Sequence, residues 1–192
     1  MPSMTQHQKG FTLVEVIVVV GIVGLLSSFL SSQFGRSRVD FDQAVNAVIA
    51  NVRQAQLWAS SGRLHSSAYR CGYGIHVVSG TQYMIYAGPI ATANCSTDNR
   101  NYDGVARDTV VTTFSLTNSP FFIATPFAPD IFFEPPNPVT YINNQSTTST
   151  PPARIIVNKT GANCNTNPLQ CRAICVYRSG KIQVAPTWTA CP

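Results

Sequence analysis

Hydrophobic and polar positions divide the chain into three parts, of which the first is a polar leader followed by an apolar run. Residues 11–30 are mostly apolar and contain a single carboxylate, Glu15. A helix of this length spans roughly 30 Å, the thickness of a bilayer's hydrocarbon core, and strands rarely run so long. The pattern predicts a membrane-spanning helix over residues 11–34. A signal peptide cleaved after Ser28 or Ser32 is the alternative.

The second part, residues 35–62, is predicted to continue the helix in amphipathic form. Apolar side chains recur there at intervals of three and four, the period of one helix face: Phe41, Val45, Val48, Val52, Ala55 and Ala59. Gly62 is expected to end the helix, because glycine adopts the left-handed backbone of a C-cap without strain. The apolar stripe predicts that this half of the helix packs on a sheet.

The third part, residues 63–192, is predicted to form a β-rich head. Ser79-Gly80 and Ser179-Gly180 are expected to be the tight turns of two hairpins. Alternating and β-branched segments predict strands at residues 73–78, 81–87, 109–116, 131–134, 154–158, 173–177 and 181–184. Polar segments rich in Pro, Gly and Asn predict loops at 91–107, 135–152 and 161–170. The expected fold class is α+β, a long amino-terminal helix packed on a β-rich globular head.

Cysteine content predicts that disulfides brace this head. Its six cysteines are an even number without CxxC spacing, which favours disulfides in an oxidising compartment over a zinc site. Cys71 and Cys95 flank the first hairpin and are expected to pair. The other four are expected to pair among themselves in a pattern that the sequence leaves open, and these are Cys164, Cys171, Cys175 and Cys191.

Charge and motif content argue against an enzyme. Charged residues make up 11% of the chain, with 13 Lys and Arg against 8 Asp and Glu for a net charge of +5. The three histidines do not fall into a recognisable catalytic set, and GxSxG, P-loop, HExxH and dinucleotide-binding motifs are missing from the sequence. We expect no cofactor and no metal. Asp98, Asp103 and Asp108 are predicted to be solvated loop acids, with a calcium site as the alternative.

Residues 9–15, Lys-Gly-Phe-Thr-Leu-Val-Glu, resemble the processing site of type IV prepilins and type II secretion pseudopilins. The resemblance implies that a prepilin peptidase removes residues 1–10 by cleaving between Gly10 and Phe11, and that Phe11 is then N-methylated. It implies insertion in the inner membrane with the head in the periplasm, before assembly with other pilin subunits. It also implies that the Glu15 carboxylate neutralises the Phe11 amine of a neighbouring subunit, since an unpaired charge is costly in an apolar filament core.

Looser motifs in the rest of the chain are similar to those of GspH/FimT-type minor pilins and pseudopilins. They are the helix segment 51–56, the hairpin 73–87, residues 132–135 and the closing segment 176–182. This resemblance implies a structural subunit of a type IV pilus or a type II secretion pseudopilus. It favours a minor subunit, with the filament tip among its locations.

DNA binding is the alternative function. After Glu134 the chain has five basic residues and no acidic one, a charge pattern suited to a phosphate backbone: Arg154, Lys159, Arg172, Arg178 and Lys181. FimT-like minor pilins are associated with DNA capture in natural transformation through a basic Gly-Arg-x-Arg motif near the carboxy terminus. The comparable segment here, residues 180–183, is Gly-Lys-Ile-Gln and keeps one basic residue of the two.

Overall fold

The structure is a computed structural model that describes residues 12–91, 95–117, 119–124, 128–137, 139–147, 151–185 and 188–191, with the side chains of residues 29–39 left aside. The predicted cleavage site, Gly10 and Phe11, therefore lies outside the described residues. The chain divides into two compact units, Met1–Asp42 and Gln43–Pro192. The architecture is α+β, with a β-rich head that three disulfides brace.

Helix α1, Leu13–Ser60, contributes residues to both units. In the first unit, every described side chain from residue 12 to residue 28 is exposed. In the second unit the apolar side chains of the predicted stripe are buried: Val45, Val48, Val52, Ala55 and Ala59.

The end of α1 follows the predicted glycine. Gly62 has a φ of 57°, and its N–H donates to the Ala59 carbonyl at 3.1 Å. The N–H of Arg63 donates to the Trp58 carbonyl, also at 3.1 Å. This pair of hydrogen bonds is a Schellman motif, which satisfies carbonyls that the last helical turn would leave without partners.

Two antiparallel sheets form the head. Sheet I has the order β3-β2-β1-β5-β6, with β1 Tyr73–Ser79, β2 Gln82–Ala87, β3 Thr109–Ser115, β5 Ile131–Glu134 and β6 Val139–Ile142. Sheet II has the order β4-β7-β8-β9, with β4 Phe121–Ile123, β7 Ala153–Lys159, β8 Cys171–Val176 and β9 Ile182–Val184. Strand β1 lies at the centre of sheet I, where it pairs with both β2 and β5.

The structure corrects the predicted strands at three places. The prediction of a loop over 135–152 is wrong at β6, a four-residue strand that is too short to show an alternating pattern of its own. Strand β4, Phe121–Ile123, lies where the sequence predicted no strand. The first hairpin turns at Gly80 and Thr81, one residue later than predicted, because Ser79 pairs with Gln82.

The second half of α1 contacts both sheets within the second unit. The Asn51 amide donates to the Tyr83 hydroxyl of β2 at 2.8 Å, and the Trp58 ring lies edge-on to Tyr73 of β1, with 5.8 Å between ring centroids. The amide of Gln56 donates to the Gly180 carbonyl in the β8–β9 turn at 3.1 Å. Within the second unit, the described residues of α1 from Gln43 onward therefore contact strands of both sheets.

Candidate assembly segment and charged residues of the head

The described part of the candidate assembly segment begins with the cap of α1. Thr12 precedes the first helical residue, and its hydroxyl and carbonyl oxygens both accept from the Glu15 N–H, at 3.3 and 3.1 Å. Thr12 and Glu15 thus occupy the N-cap and N3 positions, the Thr-x-x-Glu spacing of a capping box. The carboxylate is also placed favourably for the helix dipole, since it lies in the first turn.

The exposed Glu15 side chain lies beside apolar side chains of the same helix. It shares a shallow surface groove with Val16, Val19 and Val20, and among the described residues it has no ion-pair partner. A carboxylate on an otherwise apolar helix face is costly wherever that face is covered by lipid or protein, unless a cation or a donor accompanies it. The environment therefore suits a partner from another molecule.

The segment around Glu15 presents large apolar side chains outward. Leu13 is 76% exposed, Val20 65% and Leu25 75%. A contiguous exposed apolar surface marks contact with a membrane or with another protein. Among the described residues, the structure contains no helix that is both long and apolar enough to span a membrane.

Comparison with known families bears on this same segment. Residues 5–31 match the model of the prokaryotic N-terminal methylation motif. The amino terminus carries a prepilin-type methylation motif. This motif supports a type IV pilin-like or pseudopilin role, with other pilin subunits as partners and a prepilin peptidase as processing enzyme. No curated protein and no solved structure matches the chain.

The five basic residues of the DNA-binding hypothesis are divided between the two ends of sheet II. Strands β7 and β8 are antiparallel, with Arg154 opposite Cys175 and Arg172 opposite Val157. Lys159 and Arg172 therefore lie at one end, whereas Arg154 lies at the other, near the β8–β9 turn that holds the remaining two. About five residues of strand, roughly 16 Å, separate the ends. Arg154 and Lys159 also point to opposite faces of β7, because an odd number of positions separates them.

Three of these basic side chains also interact with nearby parts of the head. The Arg154 guanidinium donates to the Thr189 carbonyl near the carboxy terminus. The Arg172 guanidinium donates to the Cys171 carbonyl at 3.1 Å, and the Lys181 ammonium lies 5.5 Å from the centre of the Tyr177 ring. The structure does not gather the predicted set into one basic surface.

Asp98 and Asp103 pair with Arg107, whereas the prediction of a solvated acid is wrong for Asp108, which is buried. Arg107 lies 3.2 Å from the Asp98 carboxylate and 3.6 Å from that of Asp103. Asp108 is buried and accepts from the Asp103 N–H at 2.7 Å. Burial, together with the nearby Asp103 and Asp130 charges, raises the pKa of Asp108. Within the described ranges, no group of three or more metal-ligating side chains forms.

Sequence reasoning missed a polar network that ties the loop after Cys95 to sheet I. Arg100 is its centre: its guanidinium donates to Glu134 at 3.0 Å and to the Asp98 carbonyl at 2.7 Å, and it lies 4.2 Å from the centre of the Tyr141 ring. In the same sheet region, the His76 Nδ1 atom lies 2.6 Å from the Asp130 Oδ1 atom. Glu134 is 34 residues from Arg100, and Asp130 is 54 residues from His76, so local patterns carry no signal for these pairs. The network holds the loop in place.

The disulfides follow the predicted division of the cysteines. Cys71 pairs with Cys95, as expected from the hairpin that they flank. The four later cysteines pair among themselves, Cys164 with Cys171 and Cys175 with Cys191.

Proposed function

We propose that this chain is a structural subunit of a type IV pilus or a type II secretion pseudopilus, of the GspH/FimT-type minor class. Residues 1–10 are the leader that a prepilin peptidase removes. Residues 11–34 first anchor the subunit in the inner membrane, with the head in the periplasm, and later pack in the filament core. Residues 35–62 continue the helix and support the head, residues 63–192.

The observation that carries this proposal is the methylation motif on an exposed apolar segment. The motif spans residues 5–31, and within it the described large side chains from Leu13 to Leu26 are all exposed. An apolar surface of this kind is stable only when lipid or other apolar helices cover it. Lipid covers this apolar surface before assembly, and neighbouring subunits cover it afterwards.

Glu15 is the proposed contact between subunits. Once Gly10 is removed, Phe11 has a positive terminal amine, and the Glu15 carboxylate of a neighbour is the complementary charge. At a separation of 4 Å such a pair is worth about 4 kcal/mol with an effective dielectric constant of 20. Leaving one partner buried without the other costs about 3–5 kcal/mol, so this pairing favours one register of packing.

The capping geometry offers a second role for Glu15, and three variants separate the two roles. Thr12→Ala removes the hydroxyl cap but keeps the charge, at a cost of about 1 kcal/mol to the helix. Glu15→Gln keeps a side chain suited to a capping box but removes the charge. Glu15→Ala removes both.

Incorporation into filaments distinguishes the roles when each variant is produced in its own host. The measured quantity is the ratio of subunit in sheared filaments to subunit in the membrane fraction, by quantitative immunoblot. We expect Glu15→Gln and Glu15→Ala to lose incorporation at an unchanged membrane level, and Thr12→Ala to retain it. If Glu15→Gln assembles normally while Thr12→Ala and Glu15→Ala do not, the carboxylate acts as a cap and the charge-pairing proposal is wrong.

The minor, GspH/FimT-type assignment is supported by the order of segments in the head. Two of the loosely similar segments, 51–56 and 176–182, meet through the hydrogen bond between Gln56 and Gly180. Immunogold labelling of isolated filaments tests the class directly. Sparse or terminal labelling is expected, and uniform labelling along the shaft would contradict it.

A further inference from the structure

A short turn between α1 and β1 folds the chain back on itself. His65 and Ala68 exchange backbone hydrogen bonds of 3.0 and 3.2 Å, and residues 66 and 67 between them have positive φ values of 52° and 61°. These are the features of a two-residue hairpin turn. Side chains two positions apart on an extended chain point to one face, as do those of directly paired residues. The turn therefore directs Arg63, His65 and Arg70 to the same face.

Electrostatic effects on neighbouring groups support this convergence. Burial, followed by the charges of Arg70 and Arg63, lowers the pKa of His65. Burial raises the pKa of Tyr73, and the same two charges partly offset that rise. Two separate groups thus experience both cations, as expected if the two guanidinium groups lie close together.

Contacts with the head restrain both arginine side chains. The Arg63 Cζ atom lies 4.2 Å from the centre of the Trp58 ring. The Arg70 guanidinium donates to the Gly88 carbonyl at 3.4 Å, and Arg70 pairs with Ile90 in an antiparallel bridge. Because paired residues share a face, Ile90, which is 52% exposed, places an apolar side chain beside Arg70. Side chains that are already restrained lose less conformational entropy when a partner binds.

The positive charge of this region is not balanced by nearby acidic residues in the sequence. Residues 43–97 contain three arginines and no Asp or Glu. Among the described residues, neither Arg63 nor Arg70 forms an ion pair with a carboxylate, whereas Arg100 and Arg107 both do. A surface that carries one sign of charge favours a partner that carries the other.

We propose that the arginine surface, formed by Trp58, Arg63, His65, Arg70 and Ile90, docks an acidic segment of a partner protein. A carboxylate of the partner accepts from the guanidinium groups of Arg63 and Arg70, since arginine forms strong charge-assisted hydrogen bonds with carboxylates. An apolar side chain next to that carboxylate covers Ile90. Tryptophan and arginine are also the residues that most often dominate the binding energy of protein interfaces. The partner is defined by its charge, so the proposal does not depend on the filament assignment.

A nucleic acid is the other anionic macromolecule that this surface could attract, and it fits less well. Phosphate backbones are bound by several cations that follow the strand, whereas the arginine surface combines two arginines with the exposed side chain of Ile90. A phosphate backbone would leave that side chain in water. A protein segment supplies both a carboxylate and an apolar side chain.

Fluorescence of Trp58 tests the proposal in the full mature chain, because Arg63 lies against its ring. A Trp188→Phe background leaves Trp58 as the sole tryptophan, and a zwitterionic detergent keeps the apolar amino-terminal segment soluble. The probe is a Leu-Glu-Leu-Glu-Leu peptide with blocked ends, and the same peptide with Gln in place of Glu is its control. We expect a saturable change in emission with the Glu peptide, weakened by added salt, and no saturation with the Gln peptide.

Matched variants connect this signal to the arginine surface. Arg63→Gln and Arg70→Gln are each expected to weaken binding at least about tenfold, because each removes a charge-assisted hydrogen bond. Lys159→Gln makes the same change in net charge on sheet II and is expected to bind like the parent. Arg63 is exposed, so its variant should fold even if Arg70→Gln does not.

Four results would overturn the proposal. They are absence of saturation by the Glu peptide, equal binding of the Gln peptide, binding that the arginine variants leave unchanged, and tighter binding of a single-stranded oligothymidylate than of the Glu peptide. The last result would assign the surface to nucleic acid instead.

Discussion

The turn between β8 and β9 allows the contact between helix and head to be measured with one matched pair of variants. Gly180 has a φ of 77°, and a Cβ added there would lie 2.5 Å from the Gln56 side-chain nitrogen. That nitrogen would have to move, which breaks its hydrogen bond to the Gly180 carbonyl. Gly161 has nearly the same backbone, with a φ of 78°, but a Cβ there would meet nothing within 4 Å.

The expected losses follow from these two environments. A left-handed backbone costs an ordinary L-residue about 1–2 kcal/mol, which is the whole effect expected for Gly161→Ala. Gly180→Ala adds the loss of one hydrogen bond, about 1 kcal/mol, for a total of about 2–3 kcal/mol. For a chain of this size, each kcal/mol corresponds to about 2–4 °C in melting temperature.

Urea unfolding of the full chain, followed by tryptophan fluorescence, measures both variants. A Gln56→Ala variant completes a double-mutant cycle, in which Gly180→Ala should cost no more than Gly161→Ala once the Gln56 amide is gone. Equal losses for the two glycine variants in the parent chain would refute the reasoning. The Gln56 contact would then contribute nothing measurable to the packing of α1 on the head.

Three further predictions address the disulfides, the buried acid and the loop network. Replacing both cysteines of the Cys71–Cys95 bridge, which are 24 residues apart, should lower the free energy of unfolding by about 3.5 kcal/mol. Replacing those of the Cys164–Cys171 bridge, 7 residues apart, should lower it by about 2.5 kcal/mol, because a shorter loop restricts the unfolded chain less. Urea midpoints in the reverse order would contradict this explanation. The pKa of Asp108 is raised in the folded state, so the unfolded chain loses this proton first as pH rises. The Asp108 carboxyl therefore reduces stability when the pH is above its unfolded pKa of 3.8. Asp108→Asn should therefore be more favourable, relative to the parent, at pH 7 than at pH 3, and a difference in melting temperature that does not change with pH would contradict this. Arg100→Met should destabilise the head by about 1–3 kcal/mol, because the partly buried Glu134 carboxylate loses its donor; a melting temperature within error of the parent would show that the pair is not structural.

Local patterns in the sequence were sufficient where structure depends on neighbouring residues. The buried stripe of α1 and the Schellman end at Gly62 follow from helical period and glycine's backbone freedom. The last hairpin was predicted to turn at Ser179-Gly180, but its turn spans residues 177–180, because the Gly180 N–H donates to the Tyr177 carbonyl. Gly180 then supplies the positive φ that leads into β9. Strand β6 could not be found, because its four residues become a strand only when β5 offers an edge to pair with.

The candidate sites also differ in whether neighbouring residues in the sequence define them. Glu15 is recognisable from sequence, because its meaning lies in residues within one helical turn and in the apolar run that follows. The Arg100–Glu134 pair, by contrast, joins residues 34 positions apart and has no local signature.

Processing at the amino terminus tests the central claim most directly. The full chain is produced in its native host, or together with a prepilin peptidase, and the amino-terminal peptide of the membrane-bound protein is analysed by mass spectrometry. The account predicts a mature chain that begins at N-methylated Phe11, and no such product when Gly10 is replaced by a bulky residue. A chain that keeps its leader in the presence of the peptidase, or one that begins after Ser28 or Ser32, would contradict it.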